Sequence, residues 1–240
     1  MFRKLLIVFA SGTILSIVAF GAAWAVGGDQ LRAEFARGHG WHWTIGDAED
    51  GEEDRGPRKD RTFAVDPGAR VAMSIPVELS FTRGDKAEMV VSGPAAVVDR
   101  LVWKDGRLSL PAGTGMRHGL KVRITAPEIT GLDLDAPGEV TLTGLDQERF
   151  ALRSEGAVDL DASGKVRQLA ISSEGAGSID LARVEADDAT VRIDGVGSVT
   201  LGATRMVDVE INGAGKVTLV RKPQTLRSRL NGIGAIDHEY

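Results

Sequence analysis

The sequence predicts an all-β protein: a parallel β-helix-like solenoid with coils of about 19 residues, preceded by an N-terminal transmembrane or signal helix. Three observations lead to this prediction. One short glycine-containing phrase recurs through the C-terminal half, apolar and polar residues alternate around each copy, and the first segment is a long uncharged run. The elements are taken below in chain order.

Residues 1–28 are predicted to be a signal peptide or a membrane anchor helix. Arg3 and Lys4 precede an uncharged stretch, 5–26, which is long enough to cross a bilayer as a helix. Basic residues stay in the cytoplasm, so the rest of the chain would be exported. The small residues around Ala25 also fit a cleavage site. The protein would therefore be anchored in the inner membrane with its domain in the periplasm, or periplasmic or secreted if cleaved near Ala25.

Residues 29–60 are predicted to be a disordered, charged linker. An acidic run at 47–54 is followed by basic residues around Pro57, and such a segment cannot bury enough apolar surface to fold. His39 and His42 lie among tryptophans, which leaves three alternatives: plain linker, a contact with a membrane interface or partner, and a metal site.

Residues 61–240 are predicted to form the β-solenoid domain, with an irregular β-rich start at 61–127 and regular repeats at 128–240. No helical period of useful length appears in the start, which could begin or cap the solenoid. Its candidate strands are Thr62–Val65, Val71–Ser74, Val77–Thr82, Ala87–Ser92, Leu101–Lys104, Arg107–Leu110 and Leu120–Thr125.

The repeats are the phrases NGAGKVTL (212–219), EGAGSIDL (174–181), DGVGSVTL (194–201) and NGIGAIDH (231–238), with the shorter PGEVTL (137–142) and EGAVDL (155–160). Their near-constant spacing is the signature of a solenoid. We expect the first glycine of each phrase to form the corner of a coil and to supply a positive φ there. These structural turn glycines are Gly138, Gly156, Gly175, Gly195, Gly213 and Gly232.

The alternation of apolar and polar residues predicts half-buried strands whose apolar side chains stack in files from coil to coil. A leucine-rich repeat is disfavoured because no helix or regular leucine frame is present. The first predicted file is Val140, Val158, Ile179, Val199, Val217 and Ile236. The second is Leu142, Leu160, Leu181, Leu201, Leu219 and His238. The third is Leu134, Leu152, Ile171, Val191 and Val209.

Composition excludes several classes of function. The chain has no cysteine, so disulfides and thiolate chemistry are absent. The formal net charge of -5 argues against nucleic acid as a partner. The G-x-G phrases are not dinucleotide fingerprints because no helix follows them, and we expect no cofactor.

Acidic residues on the repeats are the candidate sites. Glu155, Glu174 and Asp194 precede corner glycines and would form a row that could bind a cation. Asp159 and Asp180 would stack as a carboxylate pair, the arrangement that glycosidases use. Arg153 and Arg192 lie two positions before acidic corner residues, and local ion pairing is the alternative for the row. We predict no catalytic residue.

The chain resembles the bacterial GIN domain, the head domain of auto-transporter adhesins. The resemblance rests on RTFAV (61–65), WKDGRLSL (103–110), LKVRITAP (120–127), ITGLDL (129–134) and the later G-x-G phrases. It covers about 61–240 and implies a β-helical fold and an envelope or extracellular location, with no established activity. No C-terminal run of strands for an outer-membrane barrel is present in the sequence.

These observations predict an exported cell-envelope β-solenoid that acts as a non-enzymatic adhesion, scaffold or protein-interaction module. A glycan-acting β-helix enzyme and a cation-binding envelope protein are the alternatives. The predicted partners are the membrane through residues 5–26 if this segment is uncleaved, an envelope protein or surface ligand, and a second copy of the chain.

Overall fold

The computed structural model describes residues 57–111, 116 and 118–240, which form β-strands with one short helix. The elements are β1 (Arg58–Ala64), β2 (Arg70–Met73), β3 (Val77–Arg83), β4 (Glu88–Pro94), α1 (Ala95–Val98), β5 (Val102–Lys104), β6 (Arg107–Ser109), β7 (Leu120–Ala126), β8 (Gly131–Leu134), β9 (Gly138–Ser154), β10 (Ala157–Ser173), β11 (Ala176–Ile193), β12 (Val196–Ile211), β13 (Ala214–Leu219), β14 (Thr225–Leu230) and β15 (Ile233–His238).

The predicted all-β solenoid is confirmed. Each of β9 to β12 spans almost one coil, and consecutive coils pair in parallel along most of their length. Each coil has two long sides, called face A and face B below, and a short third side between them. In β10, face A is residues 157–162, the third side is 163–167 and face B is 168–173. The alternation of buried and exposed residues changes phase at the third side. The solenoid has about five turns. Its coils differ in length by a residue or two, and the register shifts that absorb this difference fall between the two faces.

The core consists of aliphatic side chains that stack in files along the axis. On face A, the first file is Val140, Leu160, Ile179, Val199, Val217 and Ile236. On face B, a second file is Leu132, Leu152, Ile171, Val191 and Val209. All of these except Ile236 are buried, so each coil covers the apolar side of its neighbour, as a repeat protein requires.

In the first coils of the solenoid, members of the predicted files were misplaced by two residues. Val158 pairs with Gly138 and Gly177, whereas Leu160 takes the place predicted for Val158 in the first file. In the second file, Ala162 pairs with Leu142 where Leu160 was predicted. In the third, Leu132 replaces Leu134, which pairs with Ser154. A shift of two keeps every side chain on its predicted side, so alternation alone could not detect it.

Gly138 is the one predicted corner glycine that lies elsewhere. It pairs with Val158, which pairs with Gly177, so Gly138 aligns with the second glycine of the later phrases. Ala136 takes the corresponding place one coil before Gly156, since a Cβ atom on Gly156 would meet the backbone of Ala136. The short phrase PGEVTL therefore begins two residues later within its coil than the phrases that it resembles.

The irregular start covers the N-terminal end of the solenoid. On face A, β3 and β7 continue the parallel stack, and β4 and β1 then add antiparallel strands. Each predicted strand of this region overlaps an observed one, whereas the four-residue α1 was not predicted. Strand β1 begins at Arg58, so residues 58–60, which were assigned to the linker, belong to the first strand.

Among the residues that the structure describes, no helix is long and apolar enough to cross a membrane. The predicted segment 5–26, most of the predicted linker, and His39 and His42 lie outside the described residues.

Candidate interaction surfaces

The predicted acidic row lies along one corner of the solenoid, where face B turns into face A. Each corner residue donates its backbone N–H to the end of face B in the preceding coil: Glu155 to Leu134 O (2.9 Å), Glu174 to Ser154 O (2.8 Å) and Asp194 to Ser173 O (2.8 Å). Asn212 and Asn231 continue the row in the same way. The sequence therefore correctly predicted that Glu155, Glu174 and Asp194 occupy equivalent positions.

Arginine and amide groups occupy the space between these carboxylates. Arg153 contacts Glu155 at 2.8 Å and Glu174 at 3.0 Å. Arg192 contacts Asp194 at 2.6 Å and Glu210 at 3.0 Å. These are the arginines that the sequence placed near the row as the alternative to cations.

Amides continue the row beyond Asp194. The Asn212 side chain donates to Asp194 Oδ1 at 2.6 Å, and Asn231 donates to Asn212 Oδ1 at 3.0 Å. Within the described part of the chain, no group of three or more histidine, aspartate or glutamate side chains is arranged to hold a metal ion. The arrangement shown is a ladder of ion pairs and amides, and cation binding stays a prediction.

Asp194 contacts both an arginine and an amide of this ladder. The pKa of its carboxyl is lowered, first because the Asn212 amide donates a hydrogen bond to the ionised form and then because Arg192 does the same. The pKa of Arg192 is raised, chiefly by its hydrogen bond and charge interaction with Asp194 and to a smaller extent by Glu210.

We expect Asp194→Asn to be less stable than the wild-type protein at pH 7, and the difference to disappear in acid. A lowered native pKa means that the carboxylate stabilises the fold fully above its unfolded-state pKa of about 3.9 and loses this effect as the pH falls through the native value. Urea unfolding at pH 7 and at about pH 2 measures this. Asp85→Asn, in the turn between β3 and β4, is the control. A difference for Asp194→Asn that persists unchanged in acid would contradict the assignment.

The corner glycines are required by close backbone approach. In the row Gly156, Gly175, Gly195, Gly213 and Gly232, a Cβ atom on each would overlap backbone atoms of the preceding coil. None of the five has a positive φ, so the predicted conformational reason was wrong. Stacked coils bring these backbones so near that only hydrogen fits between them.

The carboxylates considered for catalysis do not stack on each other. Asp180 pairs in register with Asp161, and Asp159 pairs with Ser178, because of the same two-residue shift. Asp159 accepts a hydrogen bond from the Ser178 backbone N–H (3.2 Å), and Asp180 accepts one from Ala182 (2.9 Å). The predicted Asp159–Asp180 pair is therefore wrong.

Face A presents a surface of short side chains. A file of exposed apolar residues runs beside the corner: Ala157, Ala176, Val196, Ala214 and Ile233. Val196 is 62% exposed and Ile233 is 86% exposed. The neighbouring file is polar, with Ser198 bonded to Ser178 at 3.2 Å. Short side chains make the sheet even over β11 and β12, whereas the polar file also contains Glu139 in β9, Asp159 in β10 and Lys216 in β13.

Among the grooves on the outer surface of the described residues, two bear on function. One of about 220 Å³ crosses β3, β4, β7 and β9 on face A. The other, of about 650 Å³, lies along the third side and is lined by charged pairs: Arg167 contacts Glu148 at 3.1 Å, and Lys165 contacts Glu185 at 3.4 Å. Charged side chains line both grooves. Neither groove therefore has the mainly apolar lining, with a few convergent polar groups, that is typical of a small-molecule site.

Residues 69–223 match the family described as "Putative auto-transporter adhesin, head GIN domain". Among solved structures, one described as a "putative adhesin" from Bacteroides fragilis NCTC 9343 has a TM-score of 0.63 and 20% identity, over 76% of this chain and 97% of that one. Another so described, from Parabacteroides merdae ATCC 43184, has a TM-score of 0.45 and 12% identity, over 76% and 96%. No curated protein matches the chain. The first of these likenesses supports the fold.

Proposed function

Because the chain belongs to the auto-transporter adhesin head GIN domain family, we propose that it is exported to the cell envelope and acts there as a non-enzymatic protein-interaction module. The uncharged N-terminal stretch 5–26 after Arg3 and Lys4 supports export. The proposal places the β-solenoid outside the cytoplasm, either tethered by this stretch or released after cleavage.

The observation that carries the proposal is the exposed apolar file on the even surface of face A. Apolar side chains such as Val196 cost little to desolvate, and the serines beside them hydrogen-bond to each other. A flat sheet of this kind buries area evenly against a protein partner, whereas face B is crossed by charged side chains such as Arg192 and Arg153. Face A is therefore the proposed contact surface.

The test is site-specific photo-crosslinking in intact cells of the native host, with the full chain carrying a benzophenone amino acid at one position. We expect envelope-fraction adducts of discrete mass from position 196 on face A. Position 190 is the matched control, because Thr190 is also exposed and points outward from face B of the adjacent coil. Equal labelling at both positions, or no adduct at either, would contradict the proposed contact surface.

A further inference from the structure

The C-terminal end of the solenoid is formed by β14 and β15, and it is uncovered within the described part of the chain. Strand β14 pairs with β12, and β15 pairs with β13, so each keeps one free edge. Leu226 and Leu230 stand over Val207 and Ile211, which are fully buried, yet they are 37% and 47% exposed. Side chains that belong to the core by register therefore face solvent.

Exposed apolar residues concentrate at this end. Six large hydrophobic side chains of the described residues are exposed, and four of them, Leu226, Leu230, Ile233 and Tyr240, belong to the last coil. The opposite end is different, because β1, β4 and α1 bury their apolar residues there, including Phe63, Met89 and Val98. A patch of this kind beside free strand edges marks an association surface.

The hydrogen bonds of the last coil show which backbone groups remain free. Asn231 donates its N–H to Ile211 O, and Glu239 donates to Leu219 O, both at 2.8 Å. Because successive residues of a strand direct their backbone groups to opposite edges, the even-numbered residues of β14 and β15 face the free edge. These are 226, 228 and 230 in one strand and 234, 236 and 238 in the other.

We propose that a second copy of this chain covers the end, with β14 of each copy antiparallel to β15 of the other about a two-fold axis beside the Gly232 corner. A two-fold axis perpendicular to the solenoid axis exchanges the two faces of the coil and reverses strand direction. Both free edges of both copies then pair at once, and the solenoid core becomes continuous. The proposal does not rest on the proposed function, which concerns the outward surface of face A.

Residues equally distant from Gly232 become partners, and this register is chemically complementary. On the core side, Leu230 lies opposite Gly234 of the other copy, and Ser228 lies opposite Ile236. On the outer side, Arg227 lies opposite Asp237, so opposite charges meet across the two strands. The hydrogen-bonding positions also coincide, since 226, 228 and 230 meet 238, 236 and 234.

Other ways to join two copies fit less well. Pairing β14 with the other copy's β14 about Ser228 would place Arg227 opposite Arg229, and like charges directly opposite are destabilising. Head-to-tail stacking would bring the last coil against β1, the edge strand of the other end, which exposes Arg58, Lys59 and Asp60 and buries only Phe63 of its seven residues.

The direct test uses the absence of native cysteine. Full-length Ser228→Cys and Ile236→Cys variants are purified separately, mixed and oxidised with copper phenanthroline and dissolved oxygen. Antiparallel partners have Cα atoms about 4.5–5.5 Å apart, within disulfide reach. We expect a covalent dimer of twice the 25.5 kDa chain mass from the mixture and none from either variant alone. The control mixture is Ser198→Cys with Ile236→Cys, which should not link. No dimer from the first mixture, or equal linking in the control, would overturn the proposal.

Charge reversal separates this interface from any association through the N-terminal segment. Arg227→Glu places a carboxylate opposite Asp237 twice in each dimer, so we expect about tenfold weaker dimerisation by sedimentation velocity. The double variant Arg227→Glu with Asp237→Arg exchanges the charges and should recover most of the affinity. Thermal unfolding of both variants controls for the loss of the Lys216–Asp237 ion pair, whose atoms are 2.8 Å apart. A dimer that is unchanged by Arg227→Glu would contradict the proposed register.

Discussion

Gly195→Ala is expected to destabilise the solenoid by about 3 kcal/mol or more, although it adds a single methyl group. The new Cβ atom would overlap the carbonyl oxygen of Gly175 in the coil below. The backbone of Glu174 lies close on another side, so a small sideways shift of the Cβ atom would not relieve the overlap. Backbone atoms of two paired strands cannot yield without breaking ladder hydrogen bonds. Urea unfolding followed by far-UV circular dichroism measures the loss as a lowered midpoint.

Gly202→Ala is the matched control for this prediction. It lies in β12, the strand that follows Gly195, and is buried, but the atoms nearest to its Cβ atom would be those of the Arg221 and Val220 side chains, at 3.2 Å. Those side chains can change rotamer, so we expect a loss of at most about 1 kcal/mol. Equal losses for both variants would show that the corner backbones are free to separate.

Phe150→Ala is expected to cost about 3–5 kcal/mol, because it leaves a cavity inside the stack. Phe150 is 1% exposed and begins a file that continues with Leu169, Ala189 and Val207. It is one of the few large side chains in a core made of small aliphatic groups, and stiff strands above and below it cannot collapse into the space. The same denaturation experiment measures the effect.

Phe150→Leu separates loss of volume from loss of the aromatic ring. Leucine is the next member of this file at position 169, so a leucine stack is already compatible with the local coil geometry. A change that keeps most of the volume usually costs less than about 1.5 kcal/mol. If Phe150→Leu were as costly as Phe150→Ala, the ring's own contacts, and not the filled volume, would account for the stability.

Alternation and period were enough to predict the solenoid, the buried sides of its strands and the row Glu155, Glu174, Asp194. They were not enough for register in the first coils. PGEVTL and EGAVDL lack one glycine of the later phrases, and aligning them on their only glycine moved Gly138 by two positions. Such a slip preserves the period of two, so the burial pattern that sequence displays is satisfied equally well by both alignments.

The roles of individual residues depended on contacts between coils, which the sequence does not display. The corner glycines were expected to relieve backbone strain, whereas they make room for the carbonyl of the coil below. The acidic row was expected to repel unless cations or arginines intervened, and the pairing of Arg153 with both Glu155 and Glu174 shows that arginine intervenes in this pair of coils. In both cases the deciding neighbour lies one coil away in the chain.

Each long strand of the solenoid pairs only with the coil before it and the coil after it, and the register shifts that accommodate unequal coil lengths lie between the two faces. Duplication or deletion of one complete coil therefore recreates the same contacts between the coils that become adjacent. Evolution can lengthen or shorten such a domain in whole coils and so vary the distance over which it reaches, while the covered beginning and the last coil keep their own sequences.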